Sequence, residues 1–219
     1  MSKALRIIGI SGPIAAGKST VAARLAADAR LAEEFGGPII HFDADAQLRR
    51  ARREPGPLRD AITTLFPAAR RSDGSLDAGL LAEAAFADPL LLARLEELQW
   101  PVAREELRAA LGLAEQIGAS LLLVEAIAPL RAKIVERFDA LLLVDAPREL
   151  RAERFAERGG VRSDFERRDA AQAELVADLR AAGAAEIDAS GDIEATTAAA
   201  AEAIRRLCFP SERREHPRR

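Results

Sequence analysis

Short apolar runs alternate along the chain with longer segments in which apolar residues recur at helical spacing. Five runs have the length and composition of strands buried on both faces, and they lie at residues 4–10, 38–42, 120–124, 140–144 and 185–189. The fifth run, AEIDA, carries the weakest signal of the set. This alternation predicts an α/β fold, a three-layer α/β/α sandwich with a five-stranded parallel sheet at its centre.

The alternation is interrupted between the second and third predicted strands, where only helical patterns occur. The longest helical pattern begins after Asp88, a good N-cap, with Pro89 in the first helical position. We therefore predict a helical insertion over about residues 48–118 that forms a substrate-binding cap. The main domain is predicted to span residues 1–207, and the polar residues 208–219 are predicted to form a disordered tail.

Composition and charge exclude several classes of protein. The net charge of −3 is unfavourable for nucleic-acid binding, and no apolar run approaches the ~20 residues that a membrane helix needs. With one cysteine, Cys208, and two histidines, the 219 residues contain neither an internal disulfide nor a His/Cys metal cluster. We expect a cytoplasmic protein that acts on a small molecule, without a nucleic-acid or membrane partner. The sequence does not indicate an oligomeric state.

The stretch GPIAAGKST, residues 12–20, has the spacing of a loop that cradles phosphate groups. It lies between the first predicted strand and a helical pattern at 19–30, which is the context that this motif requires. Backbone N–H groups and the helix N-terminus are expected to hold the phosphates of ATP, Lys18 to reach the β and γ oxygens, and Ser19 to ligate Mg²⁺. The predicted ATP-binding residues of the loop are Gly12, Ala15, Ala16, Gly17, Lys18, Ser19 and Thr20.

Carboxylates follow the second and third predicted strands, at the sheet edge where ligands of such folds gather. Asp43 and Asp45 point the same way if the chain is extended, and either carboxylate there could accept the proton of an attacking hydroxyl. The alternative for Asp45 is a helix N-cap. Glu125 ends the third strand, where we expect it either to assist Mg²⁺ through water or to form a structural ion pair with Lys18.

A helical pattern rich in arginine follows the fourth predicted strand. Arg151, Arg154 and Arg158 form one stripe of this helix, with glutamates interleaved at four-residue spacing. A solvated, salt-bridged helix face is one interpretation. The position of the helix before the glycine pair at 159–160 favours a mobile lid, at about residues 148–175, whose Arg154 and Arg158 contact ATP.

Several segments together resemble those of one known family, over about residues 5–193. They are ISGPIAAGKSTVAARLA, FDADAQLRRARREPGP, SDGSLDAGLLAEAAFADP, LARLEELQWPV and VDAPRELRAERFAERGG. In order and spacing they are similar to the dephospho-coenzyme A kinases. This resemblance implies a P-loop fold like that of the nucleoside monophosphate kinases, and the Mg²⁺-dependent transfer of the γ-phosphate of ATP to the ribose 3′-hydroxyl of dephospho-CoA.

The resemblance also implies roles for individual residues. Asp45 matches the family's proposed base, Arg154 and Arg158 match basic lid positions, and Gln172 matches a lid glutamine. The predicted catalytic residues are Asp45, Lys18 and Arg154. The predicted metal site is Ser19 with Glu125, and the predicted substrate-binding residues are Asp43, Asp45, Trp100 and Gln172.

The chain departs from the family pattern mainly on the acceptor side. It has Trp100 where the family has histidine, Ala78 where the family has arginine, and a different sequence at residues 127–130. Trp100 is expected either to pack in a core or to stack on a base. Two alternatives therefore stay open at this point: a related kinase for another small hydroxyl acceptor, such as a nucleoside or sugar, and a nucleotide-binding relative without catalysis.

Overall fold

The computed structural model describes residues 4–209 of the chain. Its sheet consists of β1 (Arg6–Ser11), β2 (Ile39–Asp43), β3 (Leu121–Glu125), β4 (Ala140–Asp145) and β5 (Ala185–Asp188). All neighbouring strands are parallel, in the order β2-β3-β1-β4-β5. The α-helices are α1 (Lys18–Ala26), α2 (Ala29–Phe35), α3 (Ala44–Arg53), α4 (Pro57–Leu65), α5 (Ala78–Ala87), α6 (Pro89–Gln116), α7 (Arg148–Glu157), α8 (Arg162–Ala181) and α9 (Ile193–Cys208).

The inner strand β3, which pairs with β2 and β1, explains why continuous apolar runs mark this sheet. Successive side chains of a strand point to opposite faces, and both faces of β3 are covered by helices. Leu121 and Leu123 lie in one hydrophobic cluster, whereas Leu122 and Val124 lie in another. All four side chains are fully buried, so the strand tolerates no alternating polar residue.

Helices cover both faces of the sheet and complete three layers. On one face, Leu25 of α1 and Ile204 of α9 pack in the same cluster as Leu121 and Leu123. On the other face, Leu107 of α6 packs with Leu122 and Val124, and Leu179 of α8 packs with the β4 residue Leu143. This architecture confirms the predicted α/β/α sandwich with its five-stranded parallel sheet.

The first helical pattern, predicted over residues 19–30, is divided between two helices. α1 ends at Ala26, and the side chain of Asp28 accepts hydrogen bonds from Arg30 N and Leu31 N at 2.9 and 3.1 Å. Asp28 therefore caps the start of α2. A side chain that binds backbone N–H groups in this way is unfavourable inside a helix, so the pattern forms two helices and not one.

Between β2 and β3 the structure contains helices and no strand of the sheet, only an isolated bridge between Arg70 and Leu76. These helices begin at Ala44, a few residues before the predicted start of the insertion. They share a hydrophobic cluster that is separate from those of the sheet, formed by Leu58, Ile62, Phe66, Ala69, Leu81, Ala85 and Leu95. The substrate-binding role of this cap stays a prediction.

The start of α6 has the predicted capping. Asp88 Oδ1 accepts a hydrogen bond from Leu90 N at 2.8 Å, and Pro89 is the first helical residue. Proline is tolerated there because the first N–H groups of a helix have no intrahelical acceptor. The helix then continues through Pro101 to Gln116.

The predicted lid consists of the two helices α7 and α8, and α8 extends to Ala181, beyond the predicted end at residue 175. Gly159 joins them with a φ of 80°, in the left-handed region that favours glycine. At Gly160 a Cβ atom would lie 2.2 Å from Phe155 Cε1, so the turn has no room for a side chain.

The predicted tail starts too early. Cys208 is the last residue of α9 and is buried, and the ring of Phe209 lies 4.9 Å from that of Phe35. Apolar packing therefore holds these two residues on the domain. The rest of the predicted tail, residues 210–219, lies outside the described residues. Within residues 4–209, no helix has both the length and the apolar character that crossing a membrane requires.

Candidate active site

The phosphate loop connects β1 to α1 through backbone conformations that few residues adopt. Gly12 has a φ of 148°, and a Cβ atom there would lie 2.0 Å from Val144 O. Gly17, the N-cap of α1, has a φ of 102°. Ala15 has a φ of 60°, which is uncommon for a residue with a side chain and stores strain in the loop.

Lys18 lies at the first position of α1, with its side chain folded back over the loop. Its Nζ donates a hydrogen bond to Pro13 O at 3.0 Å. Burial lowers the pKa of Lys18, and the nearby carboxylates of Glu125, Asp45 and Asp43 oppose that shift. A bound phosphate would add negative charge beside the ammonium and favour its charged form further.

Ser19, Glu125 and His41 form a hydrogen-bonded chain across the ends of α1, β3 and β2. Ser19 Oγ donates to Glu125 Oε1 at 2.6 Å, and His41 Nε2 lies 3.1 Å from Glu125 Oε2. Burial alone would raise the pKa of Glu125, which is 4% exposed, but the hydrogen bonds from His41 and Ser19 together with the nearby charge of Lys18 hold the pKa below its usual value. Glu125 is thus an ionised carboxylate fixed beside the serine hydroxyl.

Asp43 and Asp45 do not continue an extended strand. Asp43 ends β2 and caps α3: its Oδ1 accepts from Ala46 N at 2.7 Å, and its Oδ2 accepts from Arg49 at 3.4 Å. Both interpretations are therefore wrong: the carboxylates do not share one extended face, and Asp45 is not the N-cap. The helix begins one residue after Asp43 because the Asp43 side chain caps it and satisfies one of its free N–H groups, that of Ala46.

Asp45 lies in the first turn of α3, with one oxygen held in place. Its Oδ2 accepts a hydrogen bond from Ile127 N at 3.1 Å. Burial raises the pKa of Asp45 to about 6, against the opposing attraction of Lys18, and the charges of Asp43 and Glu125 add to the rise. A carboxylate with this pKa is ionised at neutral pH and still basic enough to accept a proton.

Arg52 lies seven residues after Asp45, so the two side chains share one face of α3. Burial lowers the pKa of Arg52, and the charge of Asp45 opposes that shift. Among residues 4–209 no carboxylate lies within 4.0 Å of its guanidinium nitrogens. Arg52 therefore brings a positive charge without a salt-bridge partner among these residues to the neighbourhood of Asp45.

A cleft of about 300 Å³ opens beside the phosphate loop. From the loop and α1 it is lined by Ala15, Ala16, Gly17 and Thr20, and from α7 by Arg154 and Arg158, with Ala189 and Gly191 after β5. Arg154 donates to Ala189 O at 2.8 Å, and Arg158 donates to Arg154 O at 3.0 Å. The structure thus brings four of the seven loop residues predicted to bind ATP to the same cleft as the two predicted lid arginines, whereas Gly12, Lys18 and Ser19 do not line this cleft.

Three other predicted residues have different surroundings from these. Arg151, from the same stripe as Arg154, is 8% exposed and points into the protein. Gln172 of α8 accepts a hydrogen bond from Ile14 N at 2.6 Å, so its amide oxygen lies at the phosphate loop. Trp100 of α6 is partly buried against the cluster that contains Leu107, which is packing in a core; stacking on a base stays a prediction.

His41 and Arg52 are the residues that sequence reasoning did not connect with the site. The strand pattern of β2 places His41 two residues before Asp43, on the same face of the sheet. The register that pairs Asp43 with Glu125 is what brings the His41 ring to the Glu125 carboxylate, and the sequence does not give that register. The seven-residue spacing from Asp45 to Arg52 is visible in the sequence once α3 is known to begin at Ala44.

The phosphate loop, the carboxylates at the strand ends and the arginines of α7 define a P-loop kinase. The sequence model of the dephospho-CoA kinase family matches residues 6–194. Because this match covers most of the chain, the chain belongs to the dephospho-CoA kinase family.

Individual relatives agree with this assignment. The chain is 35% identical over 203 residues to a dephospho-CoA kinase of Deinococcus radiodurans, with 92% of each chain covered. It is 33% identical over 188 residues to the dephospho-CoA kinase of Corynebacterium jeikeium, covering 85% of this chain and 92% of that one. A crystal structure of a Thermus thermophilus protein matches with a TM-score of 0.69 and 32% identity, covering 92% of this chain and 97% of the other. The dephospho-CoA kinase of Campylobacter jejuni shares the fold, with a TM-score of 0.56.

Proposed function

We propose that this protein transfers the γ-phosphate of ATP to the 3′-hydroxyl of dephospho-CoA, giving CoA and ADP. One observation carries the proposal: Asp45, whose pKa is raised by burial to about 6, interacts electrostatically with Lys18 of the phosphate loop. A base and a phosphate-binding cation side by side are the two groups that an attacking hydroxyl needs.

The loop binds the triphosphate of ATP through its backbone. The first N–H groups of α1 have no intrahelical acceptor, and the helix dipole adds partial positive charge at the same point. Lys18 exchanges its hydrogen bond to Pro13 O for the phosphate oxygens. Since burial lowers the pKa of Lys18, phosphate binding also compensates an ammonium that is costly to bury.

Asp45 accepts the proton of the acceptor hydroxyl, and Asp43 does not. Asp43 Oδ1 already caps α3, and its Oδ2 contacts Arg49, so its oxygens have structural partners. Asp45 uses only one oxygen, Oδ2, in its hydrogen bond to Ile127 N. That bond fixes the carboxylate and leaves Oδ1 for the hydroxyl.

Ser19 and Glu125 are the residues that would hold the magnesium ion that accompanies ATP. Their oxygens are 2.6 Å apart, and an ionised carboxylate with a hydroxyl is the kind of oxygen donor set that Mg²⁺ prefers. A magnesium ion held there would supply positive charge next to the phosphate oxygens. His41 keeps Glu125 oriented toward Ser19 through its hydrogen bond to the second carboxylate oxygen.

Arg154 and Arg158 act on the other side of the triphosphate, from α7. Both line the cleft beside the loop, and their hydrogen bonds there are to carbonyl oxygens rather than to carboxylates. Neither guanidinium is neutralised by those contacts, so both can stabilise the charge that develops during transfer. Arg154, whose carbonyl partner lies at the cleft, is the catalytic residue of the pair.

The acceptor binds between the cap and the phosphate loop, where Asp45 and Arg52 face it. Trp100 and Gln172 contribute to the walls of this space. The altered residues of the cap make the acceptor the part of the proposal that needs the most direct test.

The test is product analysis with a panel of acceptors. The protein is incubated with ATP, Mg²⁺ and, in parallel, dephospho-CoA, a nucleoside or a sugar, and both ADP and the phosphorylated acceptor are quantified. We expect CoA to form with dephospho-CoA and no comparable product with the others. Transfer only to another acceptor would replace dephospho-CoA in the proposal, and ATP binding without transfer to any acceptor would refute it.

A further inference from the structure

Ile14, in the middle of the phosphate loop, has both of its backbone polar groups bound by side chains from α7 and α8. Its N–H donates to Gln172 Oε1 at 2.6 Å, and its C=O accepts from Arg151 Nη1 at 3.3 Å. Two successive peptide groups of the loop are therefore held by residues that lie more than a hundred positions further along the chain. The N–H groups that follow, from Ala15 onward, are those expected to bind phosphate.

Arg151 is built into the protein and is not free to act as a phosphate ligand. Besides Ile14 O, its guanidinium donates to Ala146 O at 3.0 Å and to Asp169 Oδ1 at 2.5 Å. The guanidinium carbon of Arg151, Cζ, lies 5.8 Å from the ring centroid of the buried Phe165. Because a buried charge is costly unless it is paired and hydrogen-bonded, these contacts fix Arg151 in one position.

The contact of Arg151 with Asp169 connects α7 to α8. Asp169 and Gln172 lie three residues apart on α8 and so share one face, which is directed at α7 and the phosphate loop. Arg154, on the same helix as Arg151 and three residues further on, lines the ATP cleft. Any shift of α7 relative to the loop therefore alters both the hydrogen bond to Ile14 O and the position of Arg154 at the cleft.

The loop residue after Ile14 shows why such fixation matters. Ala15 has a φ of 60°, and a residue with a side chain keeps that conformation only where its surroundings determine it. The hydrogen bonds of Gln172 and Arg151 hold the two peptide groups that lead into this strained residue, on either side of Ile14.

We propose that Arg151 and Gln172 are positioning residues that set the phosphate loop in its nucleotide-binding conformation and couple it to the lid helices α7 and α8. This role rests on the proposed function, since it concerns the same ATP site. The contacts of the pair with the loop are to the backbone of Ile14, so its effect on ATP acts through the orientation of the loop N–H groups. Nucleotide binding to the loop and ordering of α7 and α8 then become one event.

The chain offers a matched control in Arg148. It lies one turn before Arg151 on α7, binds the other oxygen of Asp169 at 2.9 Å, and lies 5.6 Å from the same Phe165 ring. No hydrogen bond joins Arg148 to the phosphate loop in the described part of the chain. Arg148→Ala therefore removes an arginine that shares Asp169 and Phe165 with Arg151, and it leaves the contacts of Ile14 in place.

The experiment measures ATP affinity by calorimetry without any acceptor, together with hydrogen–deuterium exchange of residues 148–181 with and without ATP. We expect Arg151→Ala to weaken ATP binding about tenfold or more, Gln172→Ala about threefold to tenfold, and Arg148→Ala less than about twofold. ATP should slow exchange in α7 and α8 of the unaltered protein and of Arg148→Ala, but much less in Arg151→Ala.

Thermal unfolding and circular dichroism separate positioning from loss of fold. If Arg151→Ala does not fold, Gln172→Ala and Arg151→Lys decide, since the former removes only a partly exposed amide. Unchanged ATP affinity in folded Arg151→Ala and Gln172→Ala, or an equal loss in Arg148→Ala, would overturn the inference. The affinity experiment contains no acceptor. Failure to form CoA in the acceptor panel would therefore refute the proposed function without affecting this test.

Discussion

The nucleotide side of the site and the cap are held together by different forces. Around the phosphate loop, fixed polar contacts dominate, and Glu125 and Arg151 are buried with their hydrogen bonds made. In the cap, the cluster around Ile62 and Phe66 is apolar, and within residues 4–209 the buried polar residue Gln99 forms its side-chain hydrogen bond to Leu95 O of its own helix. Polar networks depend on the position of single atoms, whereas apolar cores accept changes that keep their volume.

This difference indicates how the protein achieves specificity for each of its two substrates. In the proposed function, the phosphates of ATP bind backbone groups whose positions we infer to be set by Arg151 and Gln172. The proposed acceptor surface depends instead on apolar packing and on a few charges, among them Arg52 on α3. Substitutions on the nucleotide side should therefore have large effects on every reaction, and substitutions toward the cap should affect one substrate.

The largest effect is expected for Asp45→Asn, at the junction of the two regions. Loss of a general base should lower kcat for CoA formation about 1,000-fold. The melting temperature at pH 8 should not fall, because the folded-state pKa of Asp45 lies above its ordinary value and the fold favours a neutral side chain there. Initial rates and thermal unfolding measure both. A greater loss of rate in Asp43→Asn would assign the base to Asp43.

Gly12→Ala should be next in size. A Cβ atom 2.0 Å from Val144 O requires the loop to move away from β4, and a displacement of this size should lower kcat/KM for ATP about 100-fold. Gly112→Ala is the control, because a Cβ atom there meets nothing within 4 Å. That variant should keep its activity and gain up to about 1 kcal/mol of unfolding free energy. Equal ATP kinetics in the two variants would contradict the prediction.

Arg52→Ala should act on one substrate only. Removing a positive charge that interacts with Asp45 should raise KM for dephospho-CoA about tenfold, with ATP affinity changed less than about twofold. Arg53→Ala, which removes the adjacent exposed arginine, is the control. Steady-state kinetics with each substrate varied in turn provide the measurement, and a rise in KM for ATP alone would show that Arg52 belongs to the nucleotide side.

The smallest effect is the pH dependence near neutrality. Since the base must be ionised, kcat/KM for dephospho-CoA should fall to about half near pH 6, the value to which burial raises the pKa of Asp45, and then tenfold per further pH unit. Between pH 8 and 7 the rate should be nearly constant. A profile that stays flat down to pH 5 would assign proton removal to another group.

The strands and the phosphate loop were predictable from the sequence because their patterns are local. A continuous apolar run has few alternatives to a buried strand, and the spacing from Gly12 to Ser19 specifies its own loop. The N-cap at Asp88 is equally local. The break at Asp28 was missed because helical spacing continues across it, and only the side-chain hydrogen bonds end the helix there.

The contacts between distant elements were not predictable. Arg151 and Arg154 look alike on a helical stripe, and only the packing of α8 against α7 buries the first and leaves the second at the cleft. The same holds for His41, whose partner Glu125 depends on the strand order. A single sequence indicates which residues share a helix face but not what that face packs against.

The most direct test of the account is a crystal structure with a non-hydrolysable ATP analogue, Mg²⁺ and dephospho-CoA bound together. The account predicts phosphates on the backbone N–H groups between Ala15 and Thr20, and Asp45 Oδ1 within about 3.2 Å of the acceptor's 3′-oxygen. An acceptor hydroxyl that lies nearer to Asp43, or one beyond hydrogen-bond reach of both carboxylates, would contradict it.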